Sequence, residues 1–278
     1  GSHTNEGLAR VFSKGLGLEG CATLEALRSA LETAEPKVFI VEDLDRVFRR
    51  VVGGFETFRR LMEVVQASSN RHQWVLTVHR PAYAYLTALG PMVDVAFLPT
   101  TVALASMSVE ELRNKVLERT EEVGLKVDFS DLVRRASVAS DLGVEQERAE
   151  RSFFRLLRDA SGGNLHVALH LWARSLAPHP SRDGWVKAFA GDALHPDIKE
   201  SLSEISWFVV QGLWVQPLLT SDDLAASLNL SIADVHRAVQ ELLTHGIVEA
   251  VGDSYGLKTD RIPAAERSLR RRNLLHLG

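Results

Sequence analysis

Residues 38–41 form a short apolar run, VFIV, that ends abruptly at two acids, Glu42 and Asp43. Three of its four residues are β-branched, and so short a run is typical of a strand that is buried on both faces. Similar runs recur at 74–78 (WVLTV) and 93–98 (VDVAFL), with helical patterns between them. Strands that alternate with helices predict a parallel sheet, so this part of the chain is expected to form a three-layer α/β core.

The whole chain is predicted to be α/β followed by all-α, in three domains. Residues 1–101 are the α/β core. Residues 102–184 contain successive helical patterns and end in a Pro/Gly/Ser-rich linker, APHPSRDG, which indicates an all-helical domain. Residues 185–278 contain a helix, a short helix, a tight turn, a longer helix and a hairpin pattern, IVEAVGDSYGLKT. That order is typical of a winged helix-turn-helix domain.

The composition of the chain indicates the cellular compartment in which it is expected to act. The only cysteine, Cys21, excludes a disulfide framework, so a reducing, cytoplasmic location is expected. No apolar run approaches the ~20 residues of a membrane-spanning helix, and no signal peptide is visible. The first residues, Gly1-Ser2-His3, are typical of a cleaved tag, so we expect the chain to be a piece of a longer protein.

The acids after the first strand are in a position to bind a metal ion. Ligands bind at the carboxyl edge of open α/β sheets, where these acids are expected to lie. Glu42 can hold Mg²⁺ there through water, and Asp43 can orient a water molecule for attack. Apolar residues followed by two acids also occur by chance, and the alternative is a strand that ends in a solvated acidic turn.

Polar residues also follow the second strand, at Thr77, His79 and Arg80. A cation at the tip of a neighbouring strand can contact a γ-phosphate and respond to its loss. For Arg80 the alternative is an ion pair with a surface acid. Further on, His166 lies near the start of a helix, in SGGNLHVALHLW, where it can approach a phosphate or act as a capping or core residue.

A strand with acids, a strand with T-x-x-R, a helical segment with G-G-N-x-x-x-A-L and a winged helix follow one another in this chain. This order resembles the regulatory P-loop ATPases of the AAA+/STAND group, over about residues 37–260. The resemblance implies a partial parallel three-layer α/β P-loop core, a helical lid at 102–184 and a C-terminal winged helix. It also implies ATP and Mg²⁺ as cofactors.

The resemblance assigns a role to each motif of the core. Glu42 stands at the metal position of the Walker B segment, where the family usually has the shorter aspartate. Asp43 stands at the water-orienting position. Thr77 and Arg80 stand at the sensor position on the next strand.

The resemblance also assigns a role to the lid. Gly163 and Asn164 stand in the lid segment that closes on the adenine. The family usually has proline or arginine at the next positions, which here are Leu165 and His166. His166 is therefore a candidate for contact with the nucleotide.

The sequence lacks a phosphate-binding loop. Such a loop reads G-x-x-x-x-G-K-[ST], because backbone N–H groups must surround the phosphates and the lysine must neutralise them. The glycine-rich stretch SKGLGLEGCAT has no Gly-Lys-Ser/Thr and follows no strand. ATP hydrolysis is therefore expected only if the loop lies upstream or in another chain, and otherwise the domain is a degenerate scaffold. Because the strand that carries this loop is central in the fold, its absence is expected to leave a gap in the sheet.

The predicted winged helix is poorly suited to DNA. Residues 221–245 contain four acidic residues and one arginine, Arg237. Binding to DNA phosphates needs an excess of basic residues instead. The final stretch, RSLRRRNLL, is basic and suits a nucleic acid, an anionic membrane surface or an acidic partner, or forms a solvated, salt-bridged helix. Its arginines are Arg267, Arg270, Arg271 and Arg272.

Three functions are compatible with these features. The first is a nucleotide-dependent switch, in which the lid and the winged helix relay the ATP state to a protein partner or through self-association. The second is a DNA-binding regulator that uses the winged helix. The third is a P-loop-like scaffold that assembles proteins without hydrolysing ATP. The order of the motifs favours the first.

Overall fold

The computed structural model describes residues 5–16, 23–90, 100–133, 142–190, 194, 198 and 201–275. Within them the chain is mixed α/β and mostly helical, and its strands form small sheets of two or three strands. No helix in the described ranges has both the length and the apolar character needed to cross a membrane. The strand predicted at 93–98 lies outside the described residues.

The chain divides into two compact units, each of which combines segments that are distant in sequence. The first unit comprises Gly1–Thr101, Leu202–Leu257 and Asn273–Gly278, and the second comprises Val102–Ser201 and Lys258–Arg272. This division differs from the three consecutive domains that we expected. The helices of the predicted winged helix belong to the first unit, and most of the arginine-rich end belongs to the second.

In its described residues, the N-terminal part of the first unit contains four helices and two strands. Thr23 begins the second helix by accepting a hydrogen bond from the Ala26 amide at 3.1 Å. The apolar stripes of the second and third helices bury Leu27, Leu31 and Phe58 in one core. The elements are α1 (Asn5–Leu16), α2 (Leu24–Thr33), β1 (Val38–Val41), α3 (Glu56–Ser68), β2 (Gln73–Leu76) and α4 (Arg80–Ala88).

The two strands pair in parallel, as the alternating pattern predicts. Val38 lies opposite Gln73, and Val41 lies opposite Leu76. The connection between them contains α3, because parallel neighbours need a long crossover rather than a tight turn.

The two faces of this sheet differ. Phe39 and Trp74 point into the core. Val38, Ile40 and Val75 lie on the opposite face and are 60%, 67% and 48% exposed. Parallel sheets are normally covered on both faces. Among the described residues one face of this sheet is therefore uncovered. The gap expected from the sequence stays a prediction.

The second unit contains helices and a small mixed sheet. Its helix at Val109 starts with a capping box, in which Ser108 accepts from the Glu111 amide at 3.2 Å and Glu111 accepts from the Ser108 amide at 2.9 Å. Phe154 stacks on Trp172 in its core. The elements are α5 (Val109–Glu122), β3 (Lys126–Asp128), α6 (Leu142–Ser161), α7 (Leu165–Arg174), β4 (Leu176–Pro178) and β5 (Trp185–Ala188).

The prediction that residues 102–184 are all helical is wrong. β5 pairs in parallel with β3 and antiparallel with β4, so the predicted boundary after residue 184 cuts through a sheet. These strands have only three or four residues, too few for an alternating pattern to stand out from the flanking helices.

The chain then returns to the first unit. Thr220 and Asp223 form a capping box at the short helix, and Ser231 caps the longer one. The predicted hairpin is confirmed, with Val251 opposite Ser254. The strands form one antiparallel sheet in the order β6-β8-β7. The elements are α8 (Glu204–Val215), β6 (Leu219–Thr220), α9 (Ser221–Leu228), α10 (Ile232–Thr244), β7 (Val248–Val251) and β8 (Ser254–Leu257).

The last helix, α11 (Ile262–Arg271), belongs to the second unit. The buried carboxylate of Asp260, just before this helix, forms an ion pair with Arg174. Arg270 forms an ion pair with Glu266 on its own helix, at 2.7 Å. At Arg270 the structure therefore shows the salt-bridged alternative for the basic segment.

Candidate functional site

The carboxyl ends of β1 and β2 lie side by side. Glu42 and Asp43 follow β1, and Thr77 follows β2. The Asp43 amide donates to the Thr77 hydroxyl at 3.3 Å, and the Leu44 amide donates to the Thr77 carbonyl at 2.9 Å. The parallel pairing therefore brings the two acids next to the predicted sensor threonine.

Asp43 turns the chain as it leaves β1. Its φ and ψ of 54° and 50° lie in the left-handed region, which aspartate and asparagine adopt more readily than other non-glycine residues. Its carboxylate lies 3.3 Å from Nε of Arg46, and both side chains are about half exposed. An exposed pair of this kind contributes about 0–1 kcal/mol. Arg46 therefore binds Asp43 too weakly to keep its carboxylate from another ligand.

Glu42 presents its carboxylate to solvent. It makes no hydrogen bond or ion pair with the described part of the chain. Two carboxylates in one turn suit Mg²⁺, which usually binds one or two carboxylates and completes its shell with water and phosphate. Among the described residues no group of three or more His, Cys, Asp or Glu could hold a metal ion by itself. A magnesium ion here would need further oxygen ligands from a phosphate or from water.

Arg80 lies at the amino end of α4. His79 occupies the position before the helix, and Pro81 follows Arg80 in the first turn. Arg80 is exposed and forms no ion pair within the described ranges. The surface ion pair that was the alternative for this arginine is thus not seen with any described acid.

Asp45 is the third acid of this segment, and it is buried, with 5% exposure. Its Oδ1 accepts a hydrogen bond from the His79 amide at 3.2 Å. This bond ties the turn after β1 to the residue in front of Arg80.

Gln216 also reaches this turn, although it lies 171 residues from Asp45 in the sequence. Its amide nitrogen donates to the backbone carbonyls of Asp45 and Phe48, both at 3.0 Å. Gln216 was not among the residues predicted for the site from the sequence. The available signal was a glutamine directly after the apolar helix SWFVVQGLWV.

Arg50 is a half-buried cation near the same turn. Its Nη2 lies 3.4 Å from Oε1 of Gln211, and its guanidinium lies 5.2 Å from the ring centre of Tyr85. Its Nε and Nη1 are buried and have no hydrogen-bond acceptor among the described residues. Burial lowers the pKa of the guanidinium, because a low-dielectric environment disfavours the charged form.

Gly163 has a local structural role in the second unit. Its φ is +73°, and a Cβ atom there would lie 2.8 Å from Cβ of Ser106 and 2.9 Å from the Met107 carbonyl oxygen. The Met107 amide donates to the Gly163 carbonyl at 3.0 Å. Glycine is therefore required at this position by a close backbone approach.

The neighbours of Gly163 also have assignable local positions. Asn164 caps α7 by accepting from the Val167 amide at 3.2 Å. His166 is exposed on the first turn of the same helix. Gly163, Asn164 and His166 belong to the second unit, whereas the acids and the sensor residues belong to the first. Their contact with a nucleotide stays a prediction.

No protein-family model matches the chain, and no curated protein matches it.

Proposed function

We propose that this chain is the C-terminal portion of an AAA+/STAND-like regulatory ATPase. In this proposal a helical lid and a winged helix relay the nucleotide state to a protein partner or through self-association. One observation carries the proposal: the parallel pairing of β1 and β2 puts Glu42 and Asp43 beside Thr77. Ligands bind at this edge in open α/β sheets.

The proposed ligands are ATP and Mg²⁺. Glu42 would hold the metal, and Asp43 would orient the attacking water. Thr77 and Arg80 would face the γ-phosphate from the end of the next strand. The bound metal would neutralise charge on the phosphates.

The exposed face of the sheet supports the proposal that a further segment of protein carries the missing phosphate loop. Val38, Ile40 and Val75 are apolar, and strands of a parallel sheet are rarely left open to water. We therefore propose that a further strand and helix, upstream of this sequence or in another chain, carry the loop between them, and that the helix covers this face. The 278 residues alone are then expected to bind ATP poorly.

The C-terminal part of the first unit supports the winged-helix assignment. It has three successive helices and a three-stranded antiparallel sheet with a hairpin. The acids of α9 and α10 favour a protein contact over DNA. The low cysteine content favours action in the cytoplasm.

Replacing Asp43 with asparagine tests the proposal. In a longer form of the protein that carries a phosphate loop, Asp43→Asn is expected to keep ATP binding and to lower the hydrolysis rate by about 10²–10⁴-fold. Asparagine also tolerates the left-handed backbone, so the turn is preserved. The matched control is Asp253→Asn, in the exposed hairpin turn, which is expected to change neither property.

Two results would contradict the proposal. One is wild-type hydrolysis by Asp43→Asn. The other is a longer protein that contains a phosphate loop and yet binds no ATP.

A further inference from the structure

Gln216 ends α8 and is almost completely withdrawn from solvent, with 4% exposure. Its side-chain N–H groups donate to the carbonyls of Asp45 and Phe48. Both carbonyls lie in residues 42–48, which we call the acidic turn. One side chain from the C-terminal part of the first unit therefore holds the turn that contains Glu42 and Asp43.

Asp45 extends this contact to the second strand. Its carbonyl accepts from Gln216, and its carboxylate accepts from the His79 amide. Gln216, Asp45 and His79 thus form a continuous hydrogen-bonded path, which ends one residue before Arg80.

A second contact nearby joins the same two parts of the first unit. Arg49, directly after the acidic turn, lies 3.3 Å from the carboxylate of Asp223 on α9, whose side chain is only 13% exposed. The residue that follows the acidic turn is thus also linked, by an ion pair, to the C-terminal part of the first unit.

Burial of the Gln216 amide has a desolvation cost that burial of an apolar side chain of the same size does not have. Methionine has a similar length and would fill the same space without desolvating polar atoms. An amide recovers its desolvation cost only when both acceptors are in place. Buried polar groups of this kind select one arrangement of their partners more than they add stability.

We propose that Gln216 is a positioning residue for the site at the ends of β1 and β2. It fixes the acidic turn through the Asp45 and Phe48 carbonyls, and through Asp45 it fixes the backbone in front of Arg80. The C-terminal part of the first unit thereby controls the alignment of Asp43 with Arg80. The consequence for hydrolysis rests on the proposed function, whereas the positioning itself needs no nucleotide.

Amide hydrogen exchange in the 278-residue chain, measured by NMR, tests the positioning. Gln216→Met is expected to speed exchange at Leu44 and His79 by about tenfold, because it removes two hydrogen bonds. The control is Val239→Ala, a cavity-forming change in α10 of the same unit. It is expected to lower stability without selectively exposing these two amides. Equal exchange at Leu44 and His79 in the wild type and Gln216→Met would overturn the inference.

A double-mutant cycle tests the path through Asp45. Asp45→Ala removes the acceptor of the His79 amide and keeps the backbone carbonyl that Gln216 binds. In the Asp45→Ala background, Gln216→Met is expected to have no further effect at His79, while it still speeds exchange at Leu44. Additive effects of the two substitutions on exchange at His79 would overturn the hydrogen-bonded path from Gln216 through Asp45 to His79. If Gln216→Met does not fold, Gln216→Leu, which also lacks the amide donors, replaces it in both tests with the same expected result.

Kinetics in a longer, phosphate-loop form test the consequence for catalysis. Gln216→Met is expected to lower kcat about tenfold with less change in the KM for ATP, whereas Val239→Ala is expected to change neither. An unchanged kcat would overturn the role in alignment. If the longer form binds no ATP, the proposed function fails, and the exchange result alone then decides this inference.

Discussion

Two neighbouring arginines show how different the surroundings of adjacent residues can be. Arg49 is half exposed and pairs with Asp223 at 3.3 Å. Arg50 is half-buried, and two of its nitrogens, Nε and Nη1, are buried without acceptors among the described residues. The nearby ring of Tyr85 gives Arg50 a cation–π contact, worth about 0.5–2 kcal/mol. Each unmet buried N–H group costs about 1–3 kcal/mol, so the cost exceeds the gain.

We therefore predict opposite effects for the two arginines. Arg50→Met is expected to raise the free energy of unfolding by about 1 kcal/mol, because it removes a poorly satisfied buried charge. Arg49→Met is expected to lower it by about 0.5–1 kcal/mol, because it leaves the carboxylate of Asp223 without its partner. Urea unfolding of the wild type and the two variants measures both changes. A loss of stability in Arg50→Met would contradict this account of its guanidinium.

Residues at the ends of predicted strands were easier to place than residues whose partners depend on helix packing. The placement of Glu42, Asp43 and Thr77 followed from strand ends, because parallel strands bring those ends to one edge. Gln216 and Arg50 gave no comparable signal. Their partners depend on how α8 packs, and Gln216 lies 171 residues from Asp45.

Among the secondary-structure elements, α8 and α10 are joined by a carboxylate at a helix start. Glu241 of α10 accepts from the amide of Ser203 at 3.2 Å, from the Ser203 hydroxyl at 2.8 Å and from the Ser206 hydroxyl. These hydrogen bonds, led by the one from Ser206, lower the pKa of Glu241. A carboxylate is also favoured at a helix amino end by the helix dipole.

This contact predicts a pH-dependent contribution to stability. The folded-state pKa of Glu241 lies below its ordinary value of 4.5, so folding favours the ionised form. Its contribution is therefore complete above the unfolded pKa and is lost as the pH falls through the lower folded-state pKa.

The matched variants are Glu241→Gln and, on the exposed face of β7, Glu249→Gln. At pH 7, Glu241→Gln is expected to lower the free energy of unfolding by about 1 kcal/mol, and Glu249→Gln by almost nothing. The deficit of Glu241→Gln should shrink in urea unfolding below pH 4.5. A deficit that is constant with pH would contradict the assignment.

Element boundaries followed the sequence where capping residues mark them. Ser108 and Ser231 are residue types that favour the start of a helix, and they cap α5 and α10. The sheet of β3, β4 and β5 was missed. A strand such as LAP or KVD is too short to show period-two alternation, and its pairing depends on contacts between distant segments.

On the scale of the whole molecule, the order of elements in the sequence does not give their grouping in space. Residues Leu202–Leu257 join Gly1–Thr101 in one compact unit, while Lys258–Arg272 join the other. Local patterns identify helices and strands, but which apolar faces bury one another is decided by tertiary packing.

The central claim is that Glu42, Asp43 and Thr77 form part of an ATP·Mg²⁺ site whose phosphate loop lies outside these residues. Calorimetric titration with ATP and Mg²⁺ tests it most directly, on the 278-residue chain and on a longer form that includes a Gly-x-x-x-x-Gly-Lys-Ser/Thr loop. We predict that the longer form binds ATP and that the shorter chain binds it at least 100-fold more weakly. We also predict that Mg²⁺ strengthens ATP binding less in the longer form with Glu42→Gln. The expected loss is on the order of the 2–3 kcal/mol that charged contacts provide. Equal binding by the two forms, or none by the longer one, would contradict the claim.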